Sequence, residues 1–80
     1  MKVIMYSQTA WRRCQAARAW LARLKIPHEV RDIYGTPGAA EEIREWQVTM
    51  LPAFVVGQSL IIGWQPEAIL RAIANFQENE

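Results

Sequence analysis

Short apolar runs and longer amphipathic stretches alternate along this chain, and the two patterns mark its elements. Lys2–Tyr6 is short, apolar and β-branched, as a buried strand requires. Ser7-Gln8-Thr9 then offers capping hydroxyls, and Thr9 is the expected N-cap of a first helix. Within that helix Cys14, Ala17, Leu21 and Leu24 recur at spacings of three, four and three, which predicts one buried face. Arg12, Gln15, Ala19, Ala22 and Arg23 fall on the opposite face. Pro27 is expected to stop the helix, and His28–Ile33 reads as a second strand.

Tyr34-Gly35-Thr36-Pro37-Gly38 has the glycine and proline content of a loop. Ala39–Trp46 predicts a short helix with Ile43 and Trp46 inward and Glu41, Glu42 and Glu45 outward. Ala53–Val56 and Ser59–Ile62, joined by Gly57-Gln58, read as a β-hairpin. Gly63-Trp64-Gln65 turns into a last helix with Pro66 at its first position and Ile69, Ile73 and Phe76 as its buried stripe. Glu78-Asn79-Glu80 is expected to fray. The order is β-α-β-α-β-β-α. A β-α-β crossover makes its two strands parallel and the hairpin adds an antiparallel pair. The expected architecture is α/β, a four-stranded mixed sheet covered by three helices, which is a thioredoxin-like fold in a single domain over residues 1–80.

Composition narrows the function classes. Eighty residues with 51% apolar and 21% charged side chains describe one globular domain. The longest uncharged stretch, from Trp46 to Pro66, is interrupted by Gly, Gln, Ser, Thr and Pro, so no membrane span is expected. The apolar run at Val3–Tyr6 is too short for a signal peptide, and the expected location is cytoplasmic. A lone cysteine, Cys14, excludes an internal disulfide, a four-cysteine zinc site and a self-contained two-thiol redox cycle. Net charge is +1, which gives no bulk attraction to nucleic acid, but it is unevenly placed. Residues 1–31 carry seven Lys and Arg against Glu29 alone, a net +6, whereas residues 32–80 carry two against seven acids, a net −5. That asymmetry suits either an anionic ligand or oriented partner, or simple solubilisation of helix faces.

Several segments resemble the glutaredoxins, especially the small NrdH-type redoxins. Met5-Tyr6-Ser7 falls where the family's first strand ends, and Leu24-Lys25-Ile26-Pro27-His28-Glu29 is similar to its link into strand two. Met50-Leu51-Pro52 falls on the family's Thr-Val-Pro segment, and Val56-Gly57 with Ile62-Gly63-Trp64-Gln65-Pro66 resembles its glycine-rich region. The resemblance implies thiol–disulfide exchange, with a first thiol as nucleophile and a second as resolving thiol three residues later. This sequence reads Trp11-Arg12-Arg13-Cys14, so Trp11 stands at the nucleophile position and Cys14 at the resolving one. An iron–sulfur cluster is not expected, because the thiolate that would bridge it is the absent one.

Cys14 has two readings. The positive helix end and the neighbouring Arg12 and Arg13 favour a thiolate. Its place on the apolar stripe favours a buried, slow thiol. A dyad of Cys14 with His28, the one histidine, is not expected, because the first helix separates them by roughly 15 Å along its axis. The resemblance implies that Leu51-Pro52 is cis and that Leu51 offers its backbone N–H and C=O to a bound peptide or glutathione. Gly63-Trp64-Gln65 precedes a helix N-terminus, which either holds a ligand carboxylate or serves only as turn and cap. Trp11 either plugs the emptied position, anchors a partner together with Trp64, or fills space.

Two functions follow. One is a glutaredoxin-like protein of the thiol–disulfide class, without a dithiol cycle, whose chemistry rests on Cys14 and a glutathione or protein thiol partner. The other is a non-enzymatic module that binds a peptide or glutathione through Trp11, Arg12, Arg13, Leu51, Pro52, Gly63, Trp64 and Gln65. No metal or resident cofactor is expected, glutathione being the one candidate small ligand. Oligomeric state is left open.

Overall fold

The computed structural model describes residues 2–78, with side chains to residue 76. The elements are β1 (Val3–Ser7), α1 (Arg12–Arg23), β2 (His28–Asp32), α2 (Ala39–Glu45), β3 (Ala53–Val56), β4 (Ser59–Ile62) and α3 (Pro66–Glu78). Their order is the expected one. Asn79 and Glu80, expected to fray, lie outside the described residues; Glu78 is the last residue of α3.

The sheet runs β2-β1-β3-β4, parallel between β1 and β2 and antiparallel elsewhere. β1 is central, and Val3, Met5, Tyr6 and Ser7 are all buried, as a strand covered on both faces requires. Phe54 and Val56 of β3, Cys14, Ala17 and Leu21 of α1, and Ile69 of α3 close the core.

Four local expectations are corrected. Thr9 does not cap α1: Trp11 holds the N-cap position in extended conformation without a side-chain cap, and Thr9 is tied elsewhere. Pro27 does not stop α1 either. The helix ends at Arg23 because Lys25 turns left-handed (φ 56°), its N–H donating to the Ala22 carbonyl and the Ile26 N–H to that of Leu21. This pair of bonds is a Schellman motif, with Ile26 returning onto Leu21. Leu24 consequently leaves the apolar stripe and is exposed. The same motif ends α2, with Gln47 left-handed (φ 58°) and bonds from Gln47 to Arg44 and from Val48 to Ile43. Trp46 thereby lies past α2, exposed on one side and meeting the Tyr6 ring edge-on at 5.4 Å on the other.

Candidate functional site

The loop between β1 and α1 is built from a tight turn, the Trp11 N–H donating to the Gln8 carbonyl at 3.0 Å. Asp32, at the end of β2, holds this loop in place. Its carboxylate accepts the Thr9 N–H at 2.9 Å and the Thr9 hydroxyl on one oxygen. The other oxygen accepts the Tyr34 and Gly35 N–H groups at 2.8 and 3.0 Å. These donors, the Thr9 hydroxyl foremost, hold the Asp32 carboxyl below its usual pKa. Sequence reasoning missed this clamp: its partners are 23 residues apart, and Ser7-Gln8-Thr9 before a helix reads as a cap.

Beyond the clamp, Trp11 is 40% exposed, and Arg12 and Arg13 are exposed beside it. Arg13 places its guanidinium carbon 6.0 Å from the centre of the Trp11 ring, within cation–π range. Ala10, Trp11, Arg12 and Arg13 line an open hollow of 420 Å³. Cys14 points the other way. It is 0% exposed and belongs to the core with Ala17 and Leu21, so the stripe, not the helix end, decides its surroundings.

Leu51-Pro52 is cis. Both residues are buried, and the Gly63 N–H donates to the Pro52 carbonyl at 2.8 Å, which ties this segment to the end of β4. Gly63 needs its left-handed φ of 87°, and a Cβ there would stand 3.1 Å from the Met50 sulfur. Among the described residues neither the Leu51 N–H nor its C=O has a hydrogen-bond partner. Because β1 and β3 pair Tyr6 with Ala53, continuing the register sets Leu51 beside Gln8, at the end of the sheet that leads into Trp11.

Of the alternatives for Trp11, a shared patch with Trp64 has no ring contact to support it among the described residues. Trp64 instead meets Trp20 of α1 edge-on at 5.3 Å and tilts against Phe54 at 6.1 Å. Its ring has an apolar partner on the helix and another on the sheet, and a half-buried indole gains more there than above an exposed loop. Gln65 takes the turn-and-cap role: its carbonyl accepts the Ile69 N–H at 3.1 Å, and its Nε2 donates to the Ile62 carbonyl at 2.7 Å. His28 stands at the opposite end of the sheet, paired in register with Val3, and its Nδ1 lies 2.7 Å from the Ile26 carbonyl. It forms no dyad with Cys14.

A second polar cluster lies under α2. Arg31 bridges Glu42 at 2.5 Å and Glu29 at 3.5 Å, Lys2 bridges Glu29 at 3.0 Å, and the Arg31 guanidinium sits 5.7 Å from the Tyr6 ring centre. Burial first, and then Glu42, raise the Tyr6 phenol above its usual pKa. No group of three or more metal-ligating side chains occurs among the described residues, and no described helix is long and apolar enough to cross a membrane.

The central mixed sheet, the cis-proline and the loop-to-helix turn carrying Trp11-Arg12-Arg13-Cys14 define a protein of thioredoxin-like fold. The family model described as Glutaredoxin matches residues 3–61, and this chain belongs to that family. Solved structures agree on the fold. NrdH-redoxin from Escherichia coli, described as a glutaredoxin-like protein with a thioredoxin-like activity profile, is 24% identical with a TM-score of 0.80, covering 89% of this chain and 93% of that one. A thioredoxin-like protein crystallised as a mutant gives a TM-score of 0.81 at 16% identity, over 90% of this chain and 94% of that one. The solution structure of glutaredoxin from Brucella melitensis gives 0.60 at 21% identity, over 99% and 80%. Comparison with curated protein sequences finds no match.

Proposed function

We propose that this glutaredoxin-family chain has lost catalytic thiol chemistry and works as a binding module for an extended protein segment. The observation that carries the reading is the complete burial of its one cysteine, Cys14, on the core face of α1, while Trp11 at the start of that helix is exposed. A thiol must reach its disulfide to attack it, and a second thiol is needed to release product as an internal disulfide. At the cis-proline, what is left without a hydrogen-bond partner among the described residues is backbone. The unpaired Leu51 N–H and C=O offer one strand-like pair of hydrogen bonds to a segment laid beside the cis-proline. Trp11 supplies apolar contact, and the exposed Arg12 and Arg13 favour acidic side chains in that segment.

The test is an amide-shift titration with a cysteine-free, acidic, extended peptide, with glutathione titrated in parallel. Saturating shifts at the Leu51 amide and the Trp11 indole are expected with the peptide, and weaker ones with glutathione. Gln65, which holds the Ile62 carbonyl, is a poor substitute for a contact to the tripeptide's carboxylate. Catalytic turnover of insulin disulfides, or a peptide that leaves both signals unmoved, overturns the proposal.

A further inference from the structure

The two outer edges of the sheet are built differently. β2 carries Glu29, Arg31 and Asp32, engaged in ion pairs and loop bonds, which is how natural sheets blunt an edge. β4 reads Ser59-Leu60-Ile61-Ile62, with no charge, no proline and no bulge in its ladder to β3. Leu60 and Ile62 are 40% and 36% exposed, and Trp46, 38% exposed, lines with Val55, Ser59 and Leu60 an apolar hollow of 230 Å³ beside that edge.

The hairpin fixes which backbone groups are free. A two-residue turn makes Val56 and Ser59 the closing pair that exchanges both hydrogen bonds, and Phe54 with Ile61 the next such pair. Leu60 and Ile62 therefore aim their N–H and C=O outward, away from β3. The side chains of both residues are exposed as well.

We infer that this edge is a self-association surface on which β4 of a second copy pairs antiparallel with β4, about a two-fold axis through Ile61. The register is self-complementary. A two-fold axis normal to the sheet keeps like faces together, so only residues of equal parity can stand opposite each other. With Ile61 facing its own copy, Leu60 of one chain faces Ile62 of the other. Each such pair can exchange both backbone bonds while two exposed apolar side chains meet. The Ile62 carbonyl, which accepts from Gln65, keeps a second lone pair for this bond. The edge itself is uncharged and the net charge is only +1, so two copies repel weakly and nothing on the strand selects a charged partner instead. The surface lies on β4 and Trp46, apart from Leu51 and Trp11, so its test is independent of the peptide-binding reading.

Four residues of strand fall in the small, weak class of interface, so dissociation is expected on the order of 100 µM. Sedimentation equilibrium from about 10 µM to about 1 mM should show the mass rising from 9.2 kDa toward twice that value. Leu60→Lys and Ile62→Lys should hold the chain monomeric throughout, whereas Leu70→Lys, an exposed apolar position on α3, should leave association unchanged. Hydrogen exchange of the unmodified protein is the second reading, independent of whether any variant folds. At that affinity about a fifth of the chains are monomeric near 1 mM, so the Leu60 and Ile62 amides should gain about fourfold protection between the two ends of the range, while the exposed Gln58 amide should gain none. A chain that stays monomeric near 1 mM, or a dimer in which those two amides gain no protection, overturns the inference.

Discussion

If Cys14 is a packing residue rather than a working thiol, native protein must open before any reagent can reach it. Cys14 is fully buried, in the third position of α1. The opening that exposes it need not be global. The first turn of α1 has no side-chain cap and no acidic residue, and carries Arg12 and Arg13 at the positive helix end. Such a turn sits at the weak end of local stability, below the roughly 4–12 kcal/mol expected for unfolding a domain of this size. An opening cost of about 3 kcal/mol corresponds to about two orders of magnitude in rate, since each 1.4 kcal/mol is tenfold. The assay is the rate of labelling by a neutral thiol reagent, in native buffer and in denaturing urea, at one pH. Native labelling should be slower by about 100-fold or more. A native rate within about fivefold of the unfolded one would show an accessible thiol, and the burial argument would fail with it.

Trp11→Cys should place a second thiol at the N-cap of α1, three residues before Cys14, and mild oxidation should then close an internal bond seen as the loss of two hydrogens by mass; a folded variant that never closes it refutes the register of Trp11-Arg12-Arg13-Cys14 on the family's two-thiol motif. Asp32 has a lowered folded pKa, so its contribution is present above the ordinary aspartate value of about 3.9 and is lost as pH falls through the lowered one. Asp32→Asn should flatten the acid limb of stability measured by urea unfolding, and an unchanged limb would remove Asp32 as a clamp. Gln47→Gly should stabilise the fold by about 1 kcal/mol in urea, because Gln47 is left-handed at the end of α2 and exposed. Replacing Arg12 and Arg13 by Glu should raise stability by about 0.3–1 kcal/mol each and weaken the acidic peptide titration; higher stability with unchanged binding would take the arginines out of the proposed interface.

The fold was legible because its signals are local. β1 and the hairpin show as apolar runs, and α1 and α3 as repeats of three and four. Pro66 and the glycines of the hairpin and of the Gly63 turn mark places where backbone chemistry leaves few choices. The helix ends were less legible. Lys25 and Gln47 adopt the left-handed conformation usually marked by glycine, so nothing in either residue type signals the helix end, whereas Pro27 is a strong stop signal two residues too late. The site was legible only in part. Pro52 and Gly63 are tied by the bond from the Gly63 N–H to the Pro52 carbonyl, which no local pattern along the chain announces. Trp64 left the set because Trp20, on the flank of the α1 stripe, offers a closer aromatic partner. Asp32 escaped notice because a carboxylate at a strand end gains its meaning from a loop that only the parallel pairing of β1 with β2 brings alongside.

That this fold accommodates Trp at position 11 has a physical reason. In the sequence Trp11-Arg12-Arg13-Cys14 the two ends do different work. Cys14 fills a fully buried place on α1, where any small apolar group of its volume satisfies the core. Trp11 lies outside that core, at an N-cap whose own backbone conformation, and not its side chain, starts the helix. A change of side chain at the outer position therefore leaves the packing intact. Arg12 and Arg13 are a different matter, because cations at the positive end of a helix oppose its dipole. Among the described residues neither has an ion-pair partner to offset that cost. On the proposed binding reading, an anionic segment laid on this loop would relieve the charge and cover the Trp11 ring in one step.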